Sequence, residues 1–478
     1  MEFLKRKISD LLIQWKNDPD HLPLIIKGAR QIGKTEAIRH FGRTRYKHYV
    51  EINFILQKQY RTIFDDGLEV DQIIKNITFI NPDLQITPRD TLIFFDEIQA
   101  CINGATSLKS FKMDGRYDVI CSGSLMGINY QEIESNSVGY KQDYVMYSLD
   151  FEEFLWAKGF KPEQIEDLYE HMVQVQPLTT SQMESLLQAF HEYMIIGGMP
   201  AIVSRFIRQN NYFGILQMQQ QILQDYEEDI TKYAGGLDKA KILSVYRSIP
   251  VFLGKSNKKF QISKVARGAR NRDYVGVVDW LDNAGIVNIC YKLEMPELPL
   301  KGNYNPFDYK LYFGDPGLLI GSLDEESQQD LRYNRNFNIY KGALYENVVS
   351  DMLKKQGFPL FFYKNAASTV EMDFMVRDID SLVPVEVKAN RGSTLSLNKM
   401  ITGKSYEDIH YGIKAGNLNI GYNGLFYTFP YFLLFLLKRF LTHRKEPPHD
   451  NAQVPDGYQG GEHHQEQRVS QESVQVSG

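Results

Sequence analysis

The 478-residue chain has little cysteine, no long apolar run and no excess of one charge. Its three cysteines, Cys101, Cys121 and Cys290, lie far apart, which argues against a disulfide framework or a zinc module built on paired cysteines. The longest apolar run, residues 431–437, is much shorter than the ~18 residues that a membrane span needs. Residues 1–7 lack the apolar core of a signal peptide. We therefore expect a cytoplasmic protein with no membrane contact.

The remaining composition is that of a folded chain of several domains. Apolar residues make up 43% of the chain and aromatic residues 13%, which excludes wholesale disorder. Residues 447–478 differ, because they contain one arginine, five acidic residues and almost no large apolar residues. The length favours about three domains. We place them at 1–160, 161–335 and 336–437, followed by a disordered tail at 438–478.

The first 160 residues alternate apolar runs with helical patterns, which predicts stacked βα units and a parallel sheet flanked by helices. From about residue 151 to 250 the pattern becomes mainly helical. Five segments are predicted as strands: Leu24–Ile26, Tyr49–Phe54, Thr91–Phe95, Tyr117–Cys121 and Tyr144–Tyr147.

A glycine-rich octapeptide joins the first predicted strand to the next helix. It reads Gly28-Ala29-Arg30-Gln31-Ile32-Gly33-Lys34-Thr35 and is followed by Glu36. Its glycines let backbone N–H groups curl around phosphate oxygens, and the helix N-terminus adds a partial positive charge. Lys34 is predicted to reach the β- and γ-phosphates, and the Thr35 hydroxyl to coordinate Mg²⁺. The loop and its place between a strand and a helix predict binding of ATP.

Two carboxylates, Asp96 and Glu97, follow the apolar strand that begins at Thr91. On its own, an acidic strand end is typical of a solvated edge. Placed after a phosphate-binding loop, it predicts that Asp96 holds Mg²⁺ through water and that Glu97 polarises the attacking water. A second acid beside the first favours hydrolysis over passive binding.

Polar residues also end two neighbouring strands. Ser122 and Ser124 follow the strand that ends at Cys121, and either hydroxyl is a candidate for contact with the γ-phosphate or the attacking water. A simple turn is the alternative, since serine and glycine form turns. Asn53 is a candidate for a hydrogen bond that gates Glu97, or else a turn residue.

A basic segment spans residues 255–273, which contain seven lysine and arginine residues and one acidic residue. The pattern predicts a helix over 264–269, a second helix that begins at Asp273 and stops at Gly285, and a strand over 286–291. This is the order of a winged helix within about 255–295, and clustered cations on such a unit are typical of contacts to a nucleic-acid backbone. A solvated basic face is the alternative. The predicted contacts are Lys258, Lys259, Lys264, Arg267, Arg270 and Arg272.

A second acidic constellation lies near the C-terminus. Glu346 belongs to an amphipathic helix, and two predicted strands over 369–376 and 383–388 form a hairpin that carries Asp373, Glu386 and Lys388. Two carboxylates on Mg²⁺ with an ammonium beside its water suit phosphodiester hydrolysis. An exposed ladder of opposite charges is the alternative.

The order of these motifs resembles prokaryotic AAA-family ATPases that carry a C-terminal domain of unknown function 4143. The resemblance covers residues 1–437 and also uses seven further stretches: Ser122–Leu125, Asp150–Leu155, Gly197–Pro200, Ser248–Pro250, Asp279–Gly285, Gly314–Leu319 and Pro384–Lys388. It implies ATP binding by the first domain, a winged-helix middle and a C-terminal unit similar to PD-(D/E)xK nucleases. It also favours Ser122 or Ser124 as a sensor hydroxyl.

One departure concerns the arginine that many relatives carry just before the strand leading to the Phe-Glu-Glu-Phe-Leu motif. Here the region is Val138-Gly139-Tyr140-Lys141, so an arginine-finger role does not carry over and homo-oligomerisation stays open. The leading hypothesis is a Mg²⁺-dependent ATPase that drives a conformational change in a DNA-engaging C-terminal half. The alternatives are an ATP-gated nuclease and a nucleotide-controlled switch that binds a protein partner.

Overall fold

The computed structural model describes residues 3–124, 138–234, 238–255, 258–274, 276–333, 335, 338–388 and 394–444. Within these ranges, no helix is both long and apolar enough to cross a bilayer. Leu125 and most of the expected tail, from residue 445 onwards, lie outside the described residues.

A parallel sheet of five strands forms the N-terminal unit, as the five apolar segments predict. The strands are β1 (Leu24–Gly28), β2 (His48–Asn53), β3 (Thr91–Asp96), β4 (Asp118–Ser124) and β5 (Gln142–Val145). Their order is β2-β3-β4-β1-β5, and every neighbouring pair is parallel. The accompanying helices are α1 (Ile8–Asn17), α2 (Lys34–Arg45), α3 (Val70–Ile80), α4 (Ile102–Thr106) and α5 (Leu108–Asp114).

Both faces of this sheet are buried, which explains the near-continuous apolar strands. Leu24 and Ile26 of β1 pack into one apolar cluster, and Ile25 packs into the cluster on the opposite face. Parallel strands end at the same edge of a sheet, so β1, β3 and β4 bring Gly28, Asp96 and the end of β4 close together. This edge carries the candidate nucleotide site.

Helices form the middle of the chain, as the sequence predicts. They are α6 (Phe151–Ala157), α7 (Pro162–Val173), α8 (Thr180–Ile196), α9 (Pro200–Gln209), α10 (Ile215–Tyr233), α11 (Lys239–Leu253) and α12 (Val277–Asn283). Asp150 caps α6 by accepting a hydrogen bond from the Glu153 backbone N–H, and Glu153 accepts one from the Asp150 N–H in return.

The second sheet joins residues from both sides of the boundary expected at 335. Its strands are β6 (Val287–Leu293), β7 (Tyr304–Phe313), β8 (Phe361–Lys364) and β9 (Glu371–Met372), in the order β7-β6-β8-β9. The predicted strand over 286–291 is therefore present. This strand, β6, forms an antiparallel pair with β7 and also pairs with β8 of the C-terminal region. The β6–β7 pair is therefore part of a larger sheet.

A third, mixed sheet completes the C-terminal region. Its strands are β10 (Phe374–Arg377), β11 (Leu382–Lys388), β12 (Gly412–Gly416), β13 (Gly421–Tyr422) and β14 (Phe426–Pro430), in the order β10-β11-β12-β14-β13. The antiparallel β10–β11 pair is the predicted hairpin. The helices here are α13 (Pro316–Gly321), α14 (Glu325–Arg332), α15 (Asn338–Lys355), α16 (Leu395–Thr402) and α17 (Leu437–His443).

Three expectations on local structure are wrong. The helix expected over 264–269 is a short 3₁₀ turn at Ile262–Lys264, and Gly268 then takes a φ of +79° that a helix does not allow. The strand expected over 369–376 is interrupted at Asp373, between β9 and β10. The tail does not begin at 438, because Phe440 and Leu441 anchor α17 in the core.

One apolar cluster runs from α1 through the middle helices to α17. It contains Leu12 of the first unit, Tyr193 of α8 and Phe440 of α17. The regions therefore pack against one another through a shared apolar core. The division of the sequence into separate domains does not predict this packing.

Candidate functional site

The phosphate-binding loop lies between β1 and α2, where the pattern predicts it. Gly33 takes a φ of +91°, which a residue with a Cβ rarely adopts, and it turns the chain into α2. The Lys34 ammonium donates to the carbonyl oxygens of Gly28 at 3.0 Å and of Ala29 at 2.7 Å. Burial lowers the pKa of Lys34 to about 8, although the carboxylates of Glu97 and Asp96 oppose the shift.

Asp96 is the centre of the polar contacts at this edge of the sheet. It is 4% exposed. The Thr35 hydroxyl donates to its Oδ1 at 3.3 Å, the Ser122 hydroxyl also donates to Oδ1, and the Asn53 amide donates to Oδ2 at 2.8 Å. Two residues predicted to hold Mg²⁺, Thr35 and Asp96, are therefore in direct contact.

Glu97 follows in a strained backbone conformation, with a φ of +57°. The Gln99 amide donates to its carboxylate. Glu97 thus lies beside the loop with a carboxylate oriented by a neutral donor.

The strand-end residues Ser122, Ser124 and Asn53 differ in what they contact. Ser122 bonds Asp96 and is more than a turn residue, while Ser124 is 3% exposed at the end of β4. Asn53 forms the expected turn, since its Oδ1 accepts from the N–H groups of Ile55 and Leu56. Its amide donates to Asp96, so the alternative expectation, a hydrogen bond to Glu97, is not what the structure shows.

Two supports of the loop were not predicted. The Arg6 guanidinium donates to the carbonyl of Ile32 at 3.0 Å and forms an ion pair with Glu153. From α10, Asp229 binds Arg30 at 2.7 Å, and Tyr226 donates to the Arg30 carbonyl at 3.1 Å. These partners lie far away in the sequence, and no local pattern identifies them.

The loop residue Glu36 and the cation Lys141 have partners of their own. Glu36 binds Arg39 one turn along α2 at 3.1 Å. Lys141 binds Asp143 at 2.6 Å, and its side chain is 8% exposed. The ammonium of Lys141 is therefore engaged by an acid two positions along the chain.

The C-terminal acids do not form the expected metal site. The Lys258 ammonium and the Tyr312 hydroxyl bind Glu346, and Lys310 lies 3.8 Å from the same carboxylate. Asp373 accepts from the Val387 N–H at 2.8 Å. Across the part of the chain that the structure describes, no three His, Cys, Asp or Glu side chains converge as metal ligands.

Glu386 and Lys388 form a pair at 2.9 Å. Glu386 was expected to share a metal with Glu346 and Asp373, but no three such ligands converge in the described part of the chain, while its pairing with Lys388 is the one that the strand pattern predicts. The burial of Glu386 raises its pKa, and Lys388 opposes the shift. Lys388 in turn lies within electrostatic range of Asp373 and Glu346.

The six basic residues predicted to contact DNA fall into two groups. Lys258 binds Glu346, and Lys259 binds Asp308 at 2.7 Å, so both face the C-terminal region. The others are exposed: Lys264, Arg267, Arg270 and Arg272. The excess positive charge at the surface is therefore smaller than the sequence suggests.

Three family models match the chain. They are described as "AAA domain" for residues 20–155, "Domain of unknown function (DUF8612)" for 187–329 and "Domain of unknown function (DUF4143)" for 341–432. An uncharacterised protein of Haemophilus influenzae is 23% identical over 421 residues, which cover 83% of this chain and 92% of that protein.

Solved structures give distant likenesses. A Walker-type ATPase of Pyrococcus abyssi is 12% identical with a TM-score of 0.41, and the match covers 67% of this chain and 96% of that one. The Orc1 protein of Aeropyrum pernix in complex with DNA is 11% identical with a TM-score of 0.27, over 70% and 93%. On the strength of the family models, the chain combines an AAA domain of P-loop ATPase fold with a C-terminal DUF4143 domain.

Proposed function

We propose that the chain is a Mg²⁺-dependent ATPase that couples hydrolysis to a conformational change in a DNA-engaging C-terminal half. The observation that carries the proposal is the contact between Thr35 and Asp96 beside Lys34, at the carboxyl edge of a parallel sheet. A hydroxyl and a carboxylate are the oxygen donors that Mg²⁺ prefers. The residues present therefore fit the metal.

The residues divide the work as follows. Lys34 binds the triphosphate, Thr35 and Asp96 hold Mg²⁺, and Glu97 accepts a proton from the attacking water. Bound Mg²⁺ would supply neutralisation of the phosphate charge. Ser122 positions Asp96 through its hydrogen bond, which gives it an indirect role in place of contact with the γ-phosphate.

Coupling to the C-terminal half is supported by a buried polar network. Ser148, just after β5, donates to Asp315 at 2.7 Å, and Lys355 of α15 donates to Ser148 at 2.9 Å. Lys355 also binds Asp351 at 2.9 Å, with both side chains at most 3% exposed. These hydrogen bonds join the end of β5, at the edge of the AAA sheet, to α15. Because the partners are buried and closely packed, a movement of one requires the others to move with it.

DNA engagement is supported by the exposed cations Lys264, Arg267 and Arg270 near the short helix α12. Three buried thiols fit a reducing compartment such as the cytoplasm. A nucleotide-controlled switch that binds a protein partner is the second candidate. The lysine-bound Glu346 favours it over the ATP-gated nuclease.

The test is ATP turnover with and without DNA in four proteins: wild type, Lys34→Ala, Glu97→Gln and Asp373→Ala. We expect Lys34→Ala to lose nucleotide binding, and Glu97→Gln to bind ATP without turnover. Asp373→Ala should keep turnover, and the exposed substitution Glu69→Gln serves as the matched acid control. Unchanged phosphate release in Glu97→Gln would overturn the assignment, and turnover indifferent to DNA would favour the switch.

A further inference from the structure

The carboxylate of Glu346 is already saturated by protein donors. Its Oε1 accepts from Lys258, while its Oε2 accepts from the Tyr312 hydroxyl at 3.1 Å and lies 3.8 Å from Lys310. Glu346 is 5% exposed, so water reaches it poorly. A buried carboxylate with two ammonium groups beside it has no charge left to attract a cation.

These residues do not fit a divalent metal. Mg²⁺ and similar ions need several oxygen ligands around them, and lysine ammonium groups here occupy that space. Lys310 also lies 3.8 Å from Glu371, so it bridges two acids in the manner of a counter-ion. Of the other two acids of the constellation, Glu386 is held by Lys388, and Asp373 accepts a hydrogen bond from the Val387 N–H at 2.8 Å.

We propose that the Glu346 cluster is a lysine-neutralised lock that holds residues 258–274, which include most of the basic segment, against the C-terminal region, and that a nucleic-acid backbone releases it by drawing away Lys258. The inference rests on the DNA-engaging part of the proposed function and is independent of the phosphate-binding loop. In the locked state, the cluster does not bind a divalent cation.

The two lysines on Glu346 differ in how firmly the fold holds them. Lys310 is 3% exposed in the middle of β7, and its ammonium lies 4.8 Å from the centre of the Phe362 ring. Lys258 is 13% exposed and lies at the start of the basic segment, outside any helix or strand. Lys258 is therefore the partner that can leave.

The segment after Lys258 connects the lock to the exposed cations. Lys259 binds Asp308, and the Phe260 N–H donates to the Tyr309 carbonyl at 2.8 Å, which fastens the chain to β7. The exposed Lys264, Arg267 and Arg270 follow directly. Phosphates bound by these residues compete with Glu346 for Lys258, because both are anions and the phosphates bring no burial cost.

The lock is tested by hydrogen exchange of residues 258–274 in full-length Lys258→Met, Glu346→Gln and the double variant. Each single substitution should speed exchange in this segment about tenfold, and the double variant should exchange no faster, because both remove one interaction. The two single substitutions should also speed exchange in the α15 turn around Glu346, and the matched control Lys259→Met, which removes the ion pair with Asp308, should leave that turn unchanged. Additive effects, or no effect of Lys258→Met, would contradict the lock. The double variant removes both charges, so it remains informative if Lys258→Met folds poorly.

Release is tested by adding a short duplex DNA in low-salt buffer to the Lys34→Ala variant, which the proposed function expects to lack ATP turnover. The DNA should speed exchange around Glu346 about tenfold, and high salt should reverse the effect. Unchanged or slower exchange there, or no DNA binding, would overturn release and leave the ATPase assignment intact. Without DNA, Mn²⁺ titration should find no binding that Glu346→Gln removes; a stoichiometric site lost in that variant would overturn the counter-ion role of the lysines.

Discussion

Two buried carboxylates in this molecule have partners of different charge. Asp96, in the AAA domain, accepts hydrogen bonds from the neutral groups of Thr35, Ser122 and Asn53. Glu346, in the C-terminal region, is bound by the charged groups of Lys258 and Lys310. Both acids are at most 5% exposed, so the difference lies in the partners and not in the depth.

This contrast separates a site that is ready for a cation from one that is already neutralised. Hydroxyl and amide donors orient a carboxylate and leave its negative charge in place. Ammonium groups cancel that charge and fill the space that a metal would occupy. The charge of the donors, and not acid content alone, therefore distinguishes the proposed Mg²⁺ site from the C-terminal acids.

The most direct test of this contrast is whether ATP turnover requires Asp96. We expect Asp96→Asn to lower ATP turnover about 10²–10³-fold, since the substitution removes the charge that we propose holds Mg²⁺. Glu346→Gln should leave turnover unchanged, which makes it the comparison variant. The measurement is phosphate release at saturating ATP, with circular dichroism as the check on folding. Turnover within twofold of wild type in Asp96→Asn would contradict the roles given to the two acids.

Removal of a charged partner should cost more stability than removal of a neutral one. Lys310→Met leaves Glu346 and Asp373 with one cation fewer in a buried site, and we expect a loss of about 3–5 kcal/mol in the free energy of unfolding. Lys292→Met is the control, because that lysine is 22% exposed and lies 3.9 Å from Asp308; its loss should stay below about 1 kcal/mol. Adding Glu346→Gln to Lys310→Met should restore most of the loss in urea unfolding, and no recovery would count against neutralisation.

The pH dependence of stability should distinguish the two acids of the C-terminal cluster. Burial and the nearby Glu346 raise the pKa of Asp373 to about 7. Burial also opposes ionisation of Glu346, but Lys258 and Lys310 outweigh it and hold the pKa of Glu346 below its ordinary value. The folded state thus keeps the Asp373 proton while the unfolded chain loses it above about pH 4. Asp373 therefore makes stability fall from about pH 4 to pH 7.

Unfolding midpoints across this range should show a smaller fall in Asp373→Asn than in wild type. Asp351 contributes a similar slope, because burial raises its pKa to about 7 as well. Asp351→Asn therefore tests whether any change is specific to Asp373. Identical slopes in Asp373→Asn and wild type would show that Asp373 is ionised in the folded protein.

The sequence predicts the N-terminal unit well because its signals are local. A strand, a glycine loop and a helix lie within a few residues of Lys34, and five apolar runs give the five strands. Strand order is not local: the register that places Asn53 opposite Asp96 depends on β2 pairing with β3, which the sequence does not specify. The sequence alone therefore does not determine which of the two acids the Asn53 amide contacts.

The C-terminal cluster was harder to predict because lysine is normally exposed. Lys310 lies in a strand and is nevertheless 3% exposed, since acids from α15 and β9 surround it. Lys258 reads as a surface cation, yet its partner Glu346 is 88 positions away. Burial of a charge depends on such distant partners, so composition and periodicity point to DNA contact where the fold makes an ion pair.

The smallest predicted effect concerns the neutral donors themselves. Asn53→Ser keeps a hydroxyl that can form the turn but removes the amide that donates to Asp96 at 2.8 Å. We expect a loss of about 1 kcal/mol in stability, the usual value of one hydrogen bond, and less than about tenfold in turnover. Asn81→Ser is the matched control, because Asn81 also accepts a turn hydrogen bond, from the Asp83 N–H, in an exposed loop. Equal turnover in both variants would mean that the hydroxyls of Thr35 and Ser122 suffice to orient Asp96. A loss as large as that of Asp96→Asn would mean that the Asn53 amide contributes to the charge state of the site. The division between neutral and charged donors would then be too simple.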